Sequence, residues 1–264
     1  MISQHRAVFE DIKIGFLSWR MWGRIGWQEN KRRYRRTVLG PFWTTLSMGI
    51  FILAMGSMWS QLWKQDPKIY LPFLASGMVV WGLVGVLISE GCAVFVSSES
   101  LIKSIPINYT MLVCAAVWRN CVVLAHNMVI FIGVAVYGGV LVNWHTLLAI
   151  PGLMLVAFNG VWVCLLLGLV CARFRDIQQV VGSVLQVAML VTPIFWSTEQ
   201  LGQRFMALVD YNALYHFVDV VRAPLLGKTA SLWTYEFIAI FTVIGWTVTI
   251  MVFSRFRSRI PYWL

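Results

Sequence analysis

The residues of this chain whose types and spacing could do chemistry are mainly cationic. Lys31-Arg32-Arg33-Tyr34-Arg35-Arg36 places five positive charges directly before a long apolar run. Guanidinium groups grip phosphate oxygens through paired N–H donors. At a membrane surface such a run can hold a lipid phosphate or pyrophosphate, or can serve only to keep its segment on the inner side. Farther along, His216, Asp219 and Arg222 recur at steps of three, so on a helix they would share a face. Covalent and hydrolytic chemistry has no comparable constellation. The sequence lacks G-x-x-x-x-G-K-[ST], H-E-x-x-H and G-x-S-x-G, so no catalytic site is expected and ATP is not bound here through a P-loop. The four histidines are scattered, and His126 reads as a packed residue. Cys92, Cys114, Cys121, Cys164 and Cys171 lie in or beside apolar runs without a C-x-x-C, so they read as small packing residues rather than metal ligands or disulfide partners.

The elements that must position these groups belong to a membrane. Of 264 residues, 59% are hydrophobic and 12% charged, against about 25% charged in soluble domains. That excludes a soluble enzyme, a disordered chain and a secreted disulfide scaffold. The net charge of +10 would suggest nucleic acid in a soluble protein, but here it reports topology. Residues 38–63, 69–89, 120–172, 177–198 and 237–254 are uncharged, and the third stretch is long enough to cross twice. The expected architecture is all-α: six transmembrane helices near 40–62, 69–90, 115–142, 147–171, 177–197 and 237–254. The last is the shortest and is also compatible with an earlier start near Leu232. The runs are continuously apolar, unlike the alternating strands of a membrane barrel. The segment 1–37 carries nine basic residues and the tail carries Arg255, Arg257 and Arg259, while the link between spans three and four has no Lys or Arg. Both termini are expected in the cytosol.

Residues 1–37 form an arm and 38–264 the six-span domain. In the arm Phe9, Ile12, Phe16 and Trp19 recur at steps of three and four beside Arg6, Lys13, Arg20 and Arg24, the pattern of an interfacial amphipathic helix that touches anionic lipid. No cleavable signal peptide is expected. Pro41 is suited to open the first span. In the link between spans two and three, Ser97-Ser98-Glu99-Ser100 can start a short helix. The link 199–236 is too long for a hairpin. There Leu201, Phe205, Leu208 and Val209 fit one helical face, and 213–226 suits a re-entrant or interfacial helix. Pro193 marks a break before it. Trp43, Trp59, Trp63, Trp118, Trp144, Trp196 and Trp233 fall near span ends, as an aromatic belt or as stacking surfaces for sugar rings.

Four stretches carry a resemblance over nearly the whole chain, in order. They are Tyr34-Arg35-Arg36-Thr37-Val38-Leu39-Gly40-Pro41-Phe42-Trp43; Phe174-Arg175-Asp176-Ile177 with Thr192-Pro193-Ile194-Phe195-Trp196; Tyr211-Asn212-Ala213-Leu214-Tyr215-His216 with Val221-Arg222-Ala223-Pro224-Leu225-Leu226-Gly227; and Arg259-Ile260-Pro261-Tyr262-Trp263-Leu264. The chain resembles the permease subunits of type-2 ABC exporters for bacterial cell-surface polysaccharides, in particular the O-antigen export group. It departs at Asn212-Ala213, where that group usually has Asn-Pro.

The resemblance implies a homodimer in the bacterial inner membrane, bound to two copies of a separate P-loop ATPase that holds the ATP and Mg; this chain would carry no cofactor and bind no nucleic acid. It implies export of an undecaprenyl-pyrophosphate-linked polysaccharide from cytosol to periplasm. Arg32, Arg33, Arg35 and Arg36 would meet the pyrophosphate. Glu99, Ser100, Leu101, Ile102 and Lys103 would couple to the ATPase, with Arg173, Arg175 and Asp176 as a second contact. His216, Asp219 and Arg222 would sit in periplasmic gate helices, and Trp43, Trp59, Trp196 and Tyr215 along the sugar path. Two other readings compete. One is a permease of the same superfamily for capsule, teichoic acid, other lipids or drugs. The other is a membrane-embedded glycosyl- or acyltransferase, for which Glu10-Asp11 and Asp210 are the nearest catalytic candidates.

Overall fold

The computed structural model describes residues 2–38, 40, 42–198 and 206–264, with side chains from residue 6 onward. Among them every regular element is helical. The arm is two helices, α1 (Ile2–Leu17) and α2 (Trp19–Arg33). The bundle contains α3 (Phe42–Leu62), α4 (Pro67–Ser97), α5 (Glu99–Ser104), α6 (Tyr109–Gly138), α7 (Ala149–Arg173) and α8 (Ile177–Val191). It is completed by α9 (Met206–Asp210), α10 (Ala213–Leu225), α11 (Leu232–Phe256) and α12 (Ile260–Trp263). Pro41, Leu201 and Phe205 lie outside the described residues.

Each boundary has a local cause. Asp66 caps α4, its carboxylate accepting from the Lys68 amide at 2.9 Å, and Pro67 occupies the first turn, where a missing N–H costs nothing. Gly139 ends α6 in the left-handed conformation, φ 68°. Ser231 caps α11 through the Thr234 amide, which confirms the start near Leu232.

α4 is the central post, packed by α3, α6, α7, α8 and α10. In lipid, apolar area alone does not drive helices together; close backbone approach and buried hydrogen bonds do. Gly91 of α4 supplies the approach to α7: a Cβ there would lie 2.9 Å from the Cys164 Cα. Asn159 of α7 supplies the bonds, its Oδ1 accepting from Trp162 at 2.8 Å and from Thr242 of α11 at 3.0 Å.

Among the described residues five helices, α3, α4, α6, α7 and α11, are long and apolar enough to cross a membrane. The fifth span expected over 177–197 is instead a helix of 15 residues, about 22 Å long against a hydrocarbon core of about 30 Å. It stops because Thr192 turns extended ahead of Pro193, which excludes the helical conformation from its predecessor and donates no N–H.

Contacts define two ends of the bundle. At one, Arg257 bonds Asp11 at 2.8 Å and Arg175 bonds the Leu264 carbonyl at 3.2 Å, so both termini and the start of α8 meet. At the other, the Tyr70 hydroxyl near the start of α4 donates to the Phe195 carbonyl at 2.6 Å, and Asn212 bonds Thr192 at 3.0 Å. The chain segment 177–195 thus runs from the arm end to the far end.

The arm departs from its expected stripe. It breaks at Ser18, whose hydroxyl bonds back to the Ile14 carbonyl at 2.7 Å. Ile12 and Phe16 face the bundle with Val8, whereas Phe9 and Trp19 are exposed. Phe16 lies 6.1 Å from Trp246 of α11, so the arm is docked on the protein itself.

Candidate functional site

At the arm end α2 lies along α6, and Asn30 donates to the Arg119 carbonyl at 3.1 Å. Glu90, in the last third of α4, accepts from Arg119 at 2.5 Å, from Asn120 at 2.7 Å and from Arg33 at 2.7 Å. Arg119 also pairs with Glu29. Four charges from three helices therefore alternate in sign, and the Arg119 side chain is only 14% exposed. Charges this poorly hydrated persist only when matched. The network borders a cavity of about 550 Å³, lined by Arg32, Arg33, Arg119, Glu29, Glu90 and Ser97 among others. The buried Arg119 Nε beside it has no partner.

This geometry divides the expected arginine cluster. Arg32 and Arg33 line the cavity, and Arg33 is partly neutralised by Glu90. Arg35 and Arg36 stand exposed in the turn after α2, Arg36 with φ 71°.

The expected coupling residues come together at the same end. α5 forms where its sequence suggested and packs against α12. Glu99 and Lys103 pair along its outer face at 2.7 Å, and Ser100 and Leu101 are exposed. Ile102 instead turns into the core. Arg173 stacks 5.3 Å from the Trp263 ring, and Arg175 holds the tail carbonyl described above. Asp176 is exposed at the start of α8.

At the far end α10 is capped by Asn212, which accepts from the Leu214 and Tyr215 amides at 3.0 and 3.3 Å. His216, Asp219 and Arg222 do not act as one face. His216 is buried against α11, bonded to Thr234 at 3.1 Å and to the Asp210 carbonyl at 2.8 Å, and stacked 4.3 Å from Phe237. Arg222 turns toward α4 and the end of α8: it donates to the Pro193 carbonyl and to Asp219, and lies 4.6 Å from the Phe73 ring.

Of the expected sugar-path residues, three gather here. Trp59 lies 4.7 Å from Trp63 with the rings tilted, Trp63 meets Tyr70 at 5.7 Å, and Tyr70 meets Phe73 at 6.4 Å. Arg222 sits between Phe73 and Tyr215. Trp196 is beside Phe195 and bonds the Leu190 carbonyl at 3.0 Å. Trp43 stands apart, 59% exposed near the start of α3, about 24 Å along that helix from Trp59.

Residues 22–226, the greater part of the chain, match the family described as ABC-2 type transporter. The chain belongs to that family. It is similar to two proteins named O-antigen export system permease protein RfbA from Klebsiella pneumoniae: 21% identical over 239 residues, 86% of this chain and 87% of the relative, and 19% identical over 236 residues, 87% and 89%. It is also 23% identical to a protein of that name from Myxococcus xanthus over 172 residues, 64% of this chain and 65% of the relative. An ABC-2 chain is a membrane transporter subunit, which agrees with the reading as a permease rather than a transferase.

In this ABC-2 transporter Glu90 closes the expected span 69–90 and Arg119 lies near the start of the expected span 115–142, and hydropathy does not join them. A signal was present. Glu90 is the one charge in 69–98, and Arg119 the one Lys, Arg, Asp or Glu in 104–172. Two lone, opposite charges within long apolar helices need partners, and each is one of the other's.

Proposed function

We propose that this chain is the membrane-spanning subunit of an ATP-driven exporter for a polysaccharide carried on undecaprenyl pyrophosphate. The observation that carries this reading is the cationic cavity at the arm end. It offers the Arg32 guanidinium to a phosphate, with Arg33 and Arg119 held on its wall by Glu90 and Glu29, at the end of the bundle where the basic arm and tail converge. The O-antigen permeases that the chain resembles support the substrate class.

In this reading the arm end faces the cytosol of the bacterial inner membrane. Residues 177–197 supply the fifth of six crossings, with 192–197 as its non-helical part, and α9 and α10 form the periplasmic gate. Two copies of the chain line one path, each coupled to a separate ATPase subunit through the outer face of α5, residues 173–176 and the arm. The glycan passes Trp59, Trp196 and Tyr215 as it leaves, while Trp43 belongs to the entrance.

α8 supports a second copy. Its Gln179, Ser183 and Gln186 recur on one exposed face, beside exposed Val180, Val184 and Val187. Exposed amides are poorly suited to lipid and suit a partner helix or a wet path.

Purification in mild detergent tests the reading. A P-loop ATPase should be retained one-to-one with this chain, and its hydrolysis should rise when pyrophosphate-linked glycan is added. Absence of any such ATPase, or indifference to the glycan, contradicts the proposal.

A further inference from the structure

Asp11 is a buried acid in a basic arm, and the transport path described above does not use it. Its side chain is fully shielded from solvent. Oδ1 accepts from the Thr110 hydroxyl at 2.8 Å and the Thr110 amide at 3.1 Å. Oδ2 accepts from the Tyr109 amide at 3.4 Å and from Arg257 Nε and Nη2 at 3.0 and 2.8 Å. Asn108, at the capping position of α6, makes no side-chain cap bond of its own. Asp11 therefore caps α6 from another helix, where a carboxylate also complements the helix dipole. Gly15, one turn farther along α1, fixes the approach: a Cβ there would lie 2.5 Å from Thr110 Cβ.

Arg257 brings in the third segment. It follows α11, lies 5.4 Å from the Tyr109 ring, and borders a cavity of about 410 Å³ between residues 102–109 and Ser258 and Pro261. One carboxylate thus joins segments 98 and 246 residues away in sequence. A desolvated carboxylate with five donors has little freedom to rotate, so displacing one segment must move the others.

We infer that Asp11 is a positioning residue that makes the arm, the α5–α6 link and the C-terminal tail move as one body when the transporter is driven. The inference rests on the proposed function only in taking the α5–α6 link as the place where the ATPase acts.

Two variants and two readouts test it. Asp11→Asn keeps the shape and removes the charge; Arg257→Gln leaves Asp11 capping α6 and removes only the tail. On the purified chain alone, Arg257→Gln should speed amide exchange at least tenfold in 6–17, a segment remote in sequence, and Asp11→Asn should do so in the tail. In the reconstituted complex both should lower glycan exported per ATP hydrolysed at least tenfold, with ATPase retention within twofold of the parent. Faster exchange confined to the tail in Arg257→Gln, or an unchanged ratio of export to hydrolysis, overturns the inference. If Asp11→Asn fails to insert, Arg257→Gln decides. If the parent chain retains no ATPase, the proposed function fails while the exchange result still judges the linkage.

Discussion

Glu90 of α4 and Arg119 of α6 meet at 2.5 Å near the arm end of the bundle. Through that pair the arm is fastened, since Glu90 also holds Arg33 and Arg119 also holds Glu29. Removing one partner leaves the other poorly hydrated charge with a single, more exposed counter-charge, at a cost below the roughly 3–5 kcal/mol of a wholly stranded buried charge. Glu90→Ala and Arg119→Ala should each lower the thermal unfolding midpoint in detergent by several degrees. The double variant should lose less than the two combined, because the attraction between Glu90 and Arg119 is then lost once rather than twice and the charges left over, Arg33 and Glu29, are the more exposed ones.

Arg32 and Arg35 bear no part of that network in the contacts described above, whereas Arg33 is tied to Glu90, so a phosphate-binding role can be tested at the first two without unfastening the arm. Arg32→Gln plus Arg35→Gln should lower export at least fivefold with an unchanged unfolding midpoint. Arg33→Gln should lower both. Unchanged export in the double variant, measured as surface glycan at equal chain abundance, would assign those two arginines to topology.

At the far end Arg222 is 5% exposed and joins α10 to Pro193 and Phe73. Arg222→Ala should destabilise by about 3 kcal/mol or more. Arg222→Lys should fail to restore the parent, because an ammonium can neither stack flat on Phe73 nor span two acceptors as a planar fork does. Thermal unfolding and surface glycan for both variants check this.

The exposed stripe of α8 predicts contact with a second copy. Val187→Cys, at a residue 61% exposed, should give a cross-linked dimer in membranes treated with a short thiol cross-linker. The native cysteines should react little, since four are buried and the fifth is partly so. A monomer only, with the introduced thiol modified by a reporter, would remove α8 from the interface.

Much of this architecture was legible because each span is a continuous apolar run; the caps Asp66 and Ser231 and the left-handed Gly139 shift the ends of α4, α11 and α6 a few residues from where hydropathy alone puts them. α5 and α10 were legible from a polar start and a short amphipathic body. What was hidden is long-range. Nothing in the arm marks Asp11 as the cap of a helix 98 residues on, or Arg257 as its counter-charge. The pattern Phe9, Ile12, Phe16, Trp19 is a helical stripe, yet Val8 and Asp11 face the bundle with Ile12 and Phe16 while Phe9 and Trp19 do not, because packing against Thr110 and Trp246 sets the rotation of α1. The end of α8 was misplaced because hydropathy continues through 198 while Thr192-Pro193 stops the helix. His216 and Arg222 share a spacing, yet His216 packs against α11 and Arg222 against α4, which periodicity alone does not resolve.

The most direct test of the central claim is where the glycan goes. Cells lacking this chain should lose a surface polysaccharide and accumulate its pyrophosphate-linked precursor on the cytosolic side, and restoring the chain should reverse both. Normal surface glycan with no internal accumulation, in cells shown to lack a second exporter of the family, would contradict the account.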